Sequence, residues 1–211
     1  MSQENTNEFH EGEGVQYSFG DDCRRTTTSD EAFNSQFDRE SIILRPGDVC
    51  CLDDKNKMLV SAVGSGVCLT IFDQKLYFGV MAHLLMTPEM CNAFPKLGDL
   101  DENEIAKIVE PIEMAIAEMK KRGAGKNRIR IRLFGGANLS SDDDAGTKNY
   151  VFVKDYLKRK GLQVMGEDIG GAHIRRVHFL PDVGSVTRFS LKRDEDVKAL
   201  NQDQTEYFKR H

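Results

Sequence analysis

The stretch 63–83, VGSGVCLTIFDQKLYFGVMAH, sets the interpretation of the whole chain. Its pattern predicts a strand that ends in a glycine-flanked turn, followed by two strands joined by a hairpin-like turn. The second of these strands delivers His83. A catalytic nucleophile is expected at the tight turn, with the histidine as its base. The sequence has Gly66 at that turn, and Cys68 follows two residues later.

The helical signals lie towards the second half of the chain. Pro111 is predicted to start a helix, because the amide hydrogen that proline lacks has no partner at the first helical position. Gly123 is predicted to end that helix. A second amphipathic helix precedes Gly161, and residues 84–104, which carry two prolines, predict a long surface loop. The apolar residues at helical spacing are Ile112, Ala115, Ile116 and Met119 in the first helix, and Tyr150, Val153 and Leu157 in the second.

Short apolar or alternating segments before, between and after these helices predict strands, and residues 167–171 predict a polar, glycine-rich turn. The order is strands, helix, strand, helix, strands. We therefore expect an α/β (α+β) fold in which a largely antiparallel sheet system is covered by two or more helices.

The length of 211 residues predicts one domain with tails. Residues 1–40 contain ten acidic and three basic residues, a net charge of −7, and few aliphatic residues, which predicts an acidic, disordered tail. The domain is expected over residues 41–193. Residues 194–211 are polar and are expected to be a tail that frays or forms a short, loose helix.

Composition also limits the functional class. No stretch approaches 18 consecutive apolar residues and the N-terminus lacks the features of a secretory signal, so we expect no membrane insertion. The net charge of −5 argues against a nucleic-acid partner. The five cysteines have no metal-ligand spacing, which favours reduced thiols in a cytoplasmic protein. Neither a metal nor a cofactor is expected.

Several motifs stand in an order and spacing that identify a known family. Together they resemble the CheD family, the chemoreceptor glutamine deamidases of bacterial and archaeal chemotaxis, over about residues 42–192. The motifs are VGSGV (63–67), MAH (81–83), KKRGA (120–124), LFGGANL (133–139), AGTKN (145–149) and EDIGGAHIRRVHFLPDVGSV (167–186).

The resemblance implies a CheD-like sandwich and the hydrolysis of glutamine side-chain amides on chemoreceptor cytoplasmic helices. A Cys thiolate would attack the amide carbon while a His exchanges protons. It also implies a CheC-type phosphatase as a partner. Gly64, Gly135, Gly136 and Arg175 match the family and are expected to shape the binding site.

The same resemblance implies that the nucleophile is missing. In the family the Cys stands seventeen residues before the His, and counting back from His83 reaches Gly66. The family's Thr, six residues before the Cys, falls on Val60. Catalysis is therefore in doubt, although the scaffold motifs are present.

Three other residues are candidate substitutes for the missing cysteine. Cys68 lies roughly 6.6 Å further along a strand, too far for direct attack, and is expected to be a small core residue. A serine, Ser65 or Ser61, is a second candidate nucleophile, although Ser65 at a turn is expected to bond the backbone. His83 is either a catalytic or ligand-binding group or a plain buried histidine.

Charged residues near the site remain open to two interpretations. Glu167 and Asp168 resemble a catalytic carboxylate pair, but capping of the backbone is equally consistent with their position. Arg175 is expected to pair with a carboxylate. His173 and His178 show no metal-ligand spacing. Two functions therefore stay open: a degenerate CheD-like binding protein, or an active deamidase with a displaced nucleophile.

Overall fold

The structure is a computed structural model that describes residues 24–25, 31–34, 37–93, 100–140, 144–191 and 194–210. These residues form strands and helices in the following order: β1 Arg24–Arg25, β2 Glu31–Asn34, β3 Arg39–Leu44, β4 Val49–Leu52, β5 Lys57–Val63, β6 Val67–Asp73, β7 Phe78–Leu84, α1 Pro88–Ala93, α2 Glu102–Lys121, β8 Ile129–Gly135, α3 Ala145–Arg159, β9 Val164–Ile169, β10 Ile174–Leu180, β11 Ser185–Leu191 and α4 Asp194–Phe208.

The strands form two sheets. The first sheet has the order β1-β4-β7-β6-β8-β9, and the second has the order β11-β10-β5-β3-β2. Within the described chain, β3 with β5 and β8 with β9 are the parallel pairs, and the remaining pairs are antiparallel. The predicted α/β (α+β) fold with mostly antiparallel strands and covering helices is confirmed.

The central strands of the first sheet, β6 and β7, are buried on both faces. Alternate residues of β6 and β7, such as Leu69 and Val80, pack with α2 and α3, whereas Cys68 and Met81 face the second sheet. This produces three layers: helices, first sheet and second sheet. Because every residue of β6 and β7 is buried, neither strand shows the apolar–polar alternation of a half-exposed strand.

The predicted start of the first helix at Pro111 is wrong. Helix α2 begins at Glu102, where Asp101 accepts a hydrogen bond from the Glu104 amide and the Glu104 side chain accepts one from the Asp101 amide. This reciprocal capping box satisfies two amides that would otherwise lack partners. It outweighs the hydrogen bond that a proline removes inside a helix, so Pro111 lies in the middle of α2.

The predicted loop over 84–104 is also partly wrong, because α1 and the start of α2 fall within it. Residues 94–99 lie outside the described residues. None of the helices that the structure describes is both long enough and apolar enough to cross a membrane.

Both predicted tails contain regular structure. β1, β2 and the first two residues of β3 fall within residues 1–40, so the boundary at residue 41 lies inside a paired strand. The other residues before 37 lie outside the described residues. At the C-terminus α4 is a 15-residue helix, and its Leu200 is buried.

The cysteines are in two states. Cys50, Cys68 and Cys91 are buried thiols that form no disulfide. Cys51 is disulfide-bonded, so the expectation of reduced thiols is wrong at this position. Sequence spacing failed as a guide because a fold can bring together thiols that are distant in sequence.

Candidate functional site

The candidate site lies where the turn of residues 64–66 meets the end of β7. Val67 pairs with Leu84 and Cys68 pairs with His83 across the antiparallel β6–β7 ladder. Since the turn immediately precedes β6, this register brings position 66 beside the histidine. The pairing between the glycine turn and the MAH histidine, inferred from spacing, is therefore a spatial contact.

The imidazole of His83 is fully buried and is hydrogen-bonded to a serine. Its Nδ1 atom lies 2.9 Å from Ser61 Oγ, and the Ser61 hydroxyl donates to the Leu44 carbonyl at 3.0 Å. Because the serine has a single proton to donate, the network assigns the imidazole proton to Nδ1. Nε2 then carries a lone pair, and it has no partner among the described groups.

Burial keeps the imidazole neutral. Loss of hydration lowers the pKa of His83 to about 4, although a hydrogen bond to the Leu44 carbonyl acts in the opposite direction. At neutral pH the ring is therefore an unprotonated base whose free nitrogen points away from Ser61. This is the state that a general base needs before it takes a proton.

Position 66 faces this free nitrogen. A Cβ atom built on Gly66 would lie 2.9 Å from His83 Nε2 and 2.6 Å from the Leu84 carbonyl oxygen. Position 66, seventeen residues before His83, therefore lies opposite this nitrogen. The Leu84 carbonyl lies so close to Gly66 that any side chain at position 66 requires this carbonyl to shift.

Two further glycines hold the turn in place. The Gly136 amide donates to the Gly66 carbonyl at 2.7 Å, and the Ala137 amide donates to the Gly64 carbonyl at 2.9 Å. Gly135 has a φ of +108°, and a Cβ atom there would overlap the Gly66 carbonyl. Gly135 and Gly136 therefore allow the close backbone approach that fixes the turn beside His83.

Cys68 is a core thiol. It lies opposite His83 in the ladder and is fully buried between the two sheets, beside residues such as Phe134. Burial strongly raises its pKa, which suppresses the thiolate that nucleophilic attack requires. The two other candidate hydroxyls differ in surroundings. The Ser61 hydroxyl donates to the Leu44 carbonyl, and Ser65 Oγ accepts a hydrogen bond from the Gln204 side chain at 3.5 Å.

The sequence predicts Ser61 only as a candidate nucleophile that His83 could activate. The structure places its hydroxyl on His83 Nδ1, on the side of the ring away from position 66. The signal was present in the alternation of β5, because Leu59 and Val63 face the space between the sheets and Ser61 shares their side. Val60 points to the opposite face of the second sheet.

Glu167 and Asp168 do not form a pair. They are neighbours on β9, where successive side chains point to opposite faces. Glu167 accepts from Tyr150 at 3.1 Å and from Lys154 at 3.2 Å. Asp168 instead accepts from Arg175 at 3.0 Å and forms an ion pair with Arg188. The predicted turn at these two residues is wrong, because β9 continues to Ile169.

Arg175 joins β9 to β10. It is almost fully buried and pairs with Asp168, as expected, and it also donates to the carbonyls of Gly170 at 2.8 Å and His173 at 3.3 Å. Partial burial opposes ionisation of Asp168, but the hydrogen bond and charge of Arg175, with the charge of Arg188, lower the pKa of this carboxyl overall.

We expect Arg175→Ala to lower the free energy of unfolding by about 3–5 kcal/mol, because it removes one partner of a largely buried ion pair. Urea unfolding measures the loss. Arg188→Ala is the matched control: it removes the more exposed cation from the same carboxylate and is expected to cost about 1 kcal/mol or less. Equal losses in the two variants would contradict this role for Arg175.

The remaining histidines do not extend the site. His178 lies between Phe37 and Phe189, with both ring centroids 5.1 Å away, and its two ring nitrogens have no partner among the described groups. His173 lies on the turn before β10. Across the described residues no group of three or more His, Cys, Asp or Glu side chains is arranged to hold a metal ion.

Comparisons with known proteins point to the CheD family. The family model described as "CheD chemotactic sensory transduction" matches residues 98–189. A relative from Xanthomonas campestris pv. campestris (strain B100), named probable chemoreceptor glutamine deamidase CheD, is 32% identical over 157 residues, which cover 72% of this chain and 74% of the relative.

Two further relatives carry the same kind of name. A CheD 2 protein of Burkholderia thailandensis is 29% identical over 181 residues, covering 83% of this chain and 88% of the relative. A CheD protein of Zymomonas mobilis is 35% identical over 126 residues, covering 59% of this chain and 66% of the relative. The motifs, the sandwich and these similarities lead to one assignment: this chain belongs to the CheD family.

Proposed function

We propose that this chain is a CheD-like chemotaxis protein that has lost deamidase activity and acts by binding. The observation that carries the proposal is Gly66, which stands opposite the free Nε2 atom of His83 without any side chain to be activated. Covalent catalysis without its nucleophile loses most of its rate enhancement, on the order of 10⁶-fold in kcat in a well-studied hydrolase.

The environment of the other candidate nucleophiles supports the same proposal. Cys68 is fully buried and its pKa is raised, so it is almost entirely a neutral thiol at pH 7. The hydroxyl of Ser61 already donates to a backbone carbonyl on the Nδ1 side of the ring. The Ser65 hydroxyl oxygen accepts a hydrogen bond from the Gln204 side-chain amide. No described thiol or hydroxyl is hydrogen-bonded to the free nitrogen of His83.

The proposed partners follow from the family. The relatives' names point to chemoreceptors, so the proposed ligand is a chemoreceptor cytoplasmic helix, and a CheC-type phosphatase is the alternative partner. The proposed location is the cytoplasm, where these partners reside. The alternative function is an active glutamine deamidase with a displaced nucleophile.

Incubation with a chemoreceptor cytoplasmic fragment tests the proposal directly. We expect no conversion of glutamine to glutamate by the wild-type chain, because no nucleophile faces His83. Mass spectrometry of the digested receptor measures conversion, and a CheD relative that has the Cys is the positive control. Co-sedimentation with the same receptor fragment measures binding in the absence of turnover.

Two variants separate the proposal from its alternative. Glutamine conversion that His83→Ala abolishes would show that the site is active and would overturn the proposal. If Cys68→Ala also abolished it, the displaced thiol would be the nucleophile, whereas retention of activity would point to a serine. Conversion that both variants leave unchanged would indicate a contaminating amidase.

A further inference from the structure

Helix α4 covers the glycine turn of the candidate site. Leu200 is buried, and its Cδ2 atom lies 3.0 Å from where a Cβ atom on Gly64 would stand. Leu139 and Ile174 line the same position, at 3.2 and 3.8 Å. The missing side chain at Gly64 thus makes room for an apolar side chain from the C-terminal helix.

Polar contacts extend along the same face of the helix. Asp203 Oδ1 lies 2.9 Å from Arg45 Nε, in an ion pair whose side chains are 26% and 19% exposed. The Gln204 side-chain amide donates to Ser65 Oγ at 3.5 Å. The ring of Tyr207 lies over Gly47, 3.0 Å from where its Cβ would stand.

The residues beneath α4 belong to the two loops that frame the site. Gly47 donates its amide hydrogen to the His83 carbonyl at 2.8 Å, and Ser65 is the direct neighbour of Gly66. We call the patch formed by Arg45, Gly47, Gly64 and Ser65 the turn surface. The helix therefore lies on the surface nearest to the position that faces the base.

The contacts on α4 follow a helical spacing. Leu200, Asp203, Gln204 and Tyr207 stand at i, i+3, i+4 and i+7, which is one face of a helix. Leu200 fills the space beside Gly64, and Asp203 pairs with the guanidinium of Arg45. Gln204 donates to the hydroxyl of Ser65, and Tyr207 packs over Gly47. The side-chain amide of Gln204 thus reaches Ser65, the residue beside Gly66. Relatives of this chain are named glutamine deamidases.

We propose that the turn surface is a binding site for one face of an amphipathic helix, and that α4 is its intramolecular occupant. The helix that fits carries an apolar residue, a carboxylate, a glutamine and an aromatic residue at the spacing of α4. A partner helix of this kind binds by displacing α4. The identity of the partner rests on the proposed function, but the exchange of helices does not.

The short connection between β11 and α4 determines how strongly α4 competes. Only residues 192–193 separate the end of β11 from the start of α4. A short linker gives a tethered segment an effective concentration on the order of millimolar. A helix added at micromolar concentration is therefore excluded from the wild-type chain and binds only after α4 has been released.

The test uses the full chain and a fluorescent peptide of residues 194–211 as the probe. Leu200→Asp places a charge in the apolar gap and is expected to release α4. We expect this variant to bind the probe at least about 10-fold more tightly than the wild type, because the tethered competitor is removed. Fluorescence anisotropy measures binding, and hydrogen exchange of the amides over 197–207 measures release.

The matched control is Ala199→Asp, which adds the same charge at the neighbouring exposed position and is expected to behave as the wild type. Probes with a scrambled sequence or with Gln204→Glu test recognition of the helix face and of the amide, and both are expected to bind more weakly. Equal affinity of the native and scrambled probes would overturn the proposal.

A charge reversal guards against misfolding of Leu200→Asp. Arg45→Asp and Asp203→Arg are each expected to speed exchange of the α4 amides, and the double variant is expected to restore protection. Unchanged exchange in all these variants would show that α4 is not held by the turn surface. Released α4 without probe binding would show that the surface takes no helix. Neither readout depends on amide hydrolysis, so failure here is distinct from failure of the proposed function.

Discussion

The variant Gly66→Cys is expected to acquire a reactive thiol and glutamine deamidase activity at least about 100-fold above the wild type, because it restores the nucleophile of a covalent mechanism. The Cβ atom would lie 2.9 Å from His83 Nε2, so the thiol would stand beside an unprotonated base. A neighbouring imidazolium stabilises the thiolate that forms when the proton is transferred. Iodoacetamide labelling and the receptor assay measure the two gains.

The gain is expected to come at a cost in stability. The same Cβ atom would lie 2.6 Å from the Leu84 carbonyl oxygen, so the end of β7 must shift. Overpacking of this kind costs about 1–3 kcal/mol. Gly66→Ala is the matched control, because it introduces the same Cβ atom without the thiol. A folded Gly66→Cys variant that labels no faster than buried Cys68 would show that position 66 is not the position of a nucleophile.

Acidification is expected to destabilise the chain by several kcal/mol between about pH 6.5 and pH 4. Burial lowers the pKa of both His83 and His178 to about 4, and the charge of Arg176 contributes at His178. In the unfolded chain both imidazoles return to about 6.5. The unfolded state therefore binds more protons than the folded state in this pH range, and the free energy of unfolding decreases progressively as pH falls.

Urea unfolding at a series of pH values measures this effect. With two histidines, the expected slope approaches about 2.7 kcal/mol per pH unit at its steepest, and stability is expected to be nearly constant between pH 7 and 8. The variant His178→Phe removes one of the two groups from an apolar site between Phe37 and Phe189 and is expected to halve the slope. An unchanged slope would contradict the neutral, buried state of His178.

Local patterns predicted much of the fold correctly. The apolar runs of β5, β6 and β7 predict strands because each is short, β-branched and bounded by turn residues. The start of α2 is predicted incorrectly because Pro111 is a helix-start signal that lies in the middle of the helix, whereas the capping box lies at Asp101. Both signals are local, and their relative strength depends on the helix as a whole.

The polar residues of the site were harder to assign, since direction on a strand matters more than proximity in sequence. Glu167 and Asp168 are adjacent in the chain, yet one contacts α3 and the other contacts β10 and β11. Conversely, Ser61 and His83 are 22 residues apart and share a hydrogen bond. Sequence order alone conveys neither relation.

By itself the sequence determined the family and the position of Gly66 seventeen residues before His83, because both residues lie within the 63–83 stretch. Only the tertiary structure decided that Ser61 is hydrogen-bonded to His83 and that α4 lies over the turn. The contacts of α4 join segments that are far apart in the chain, and Leu200 and Gln204 find their partners only after both sheets and the last helix have been assembled.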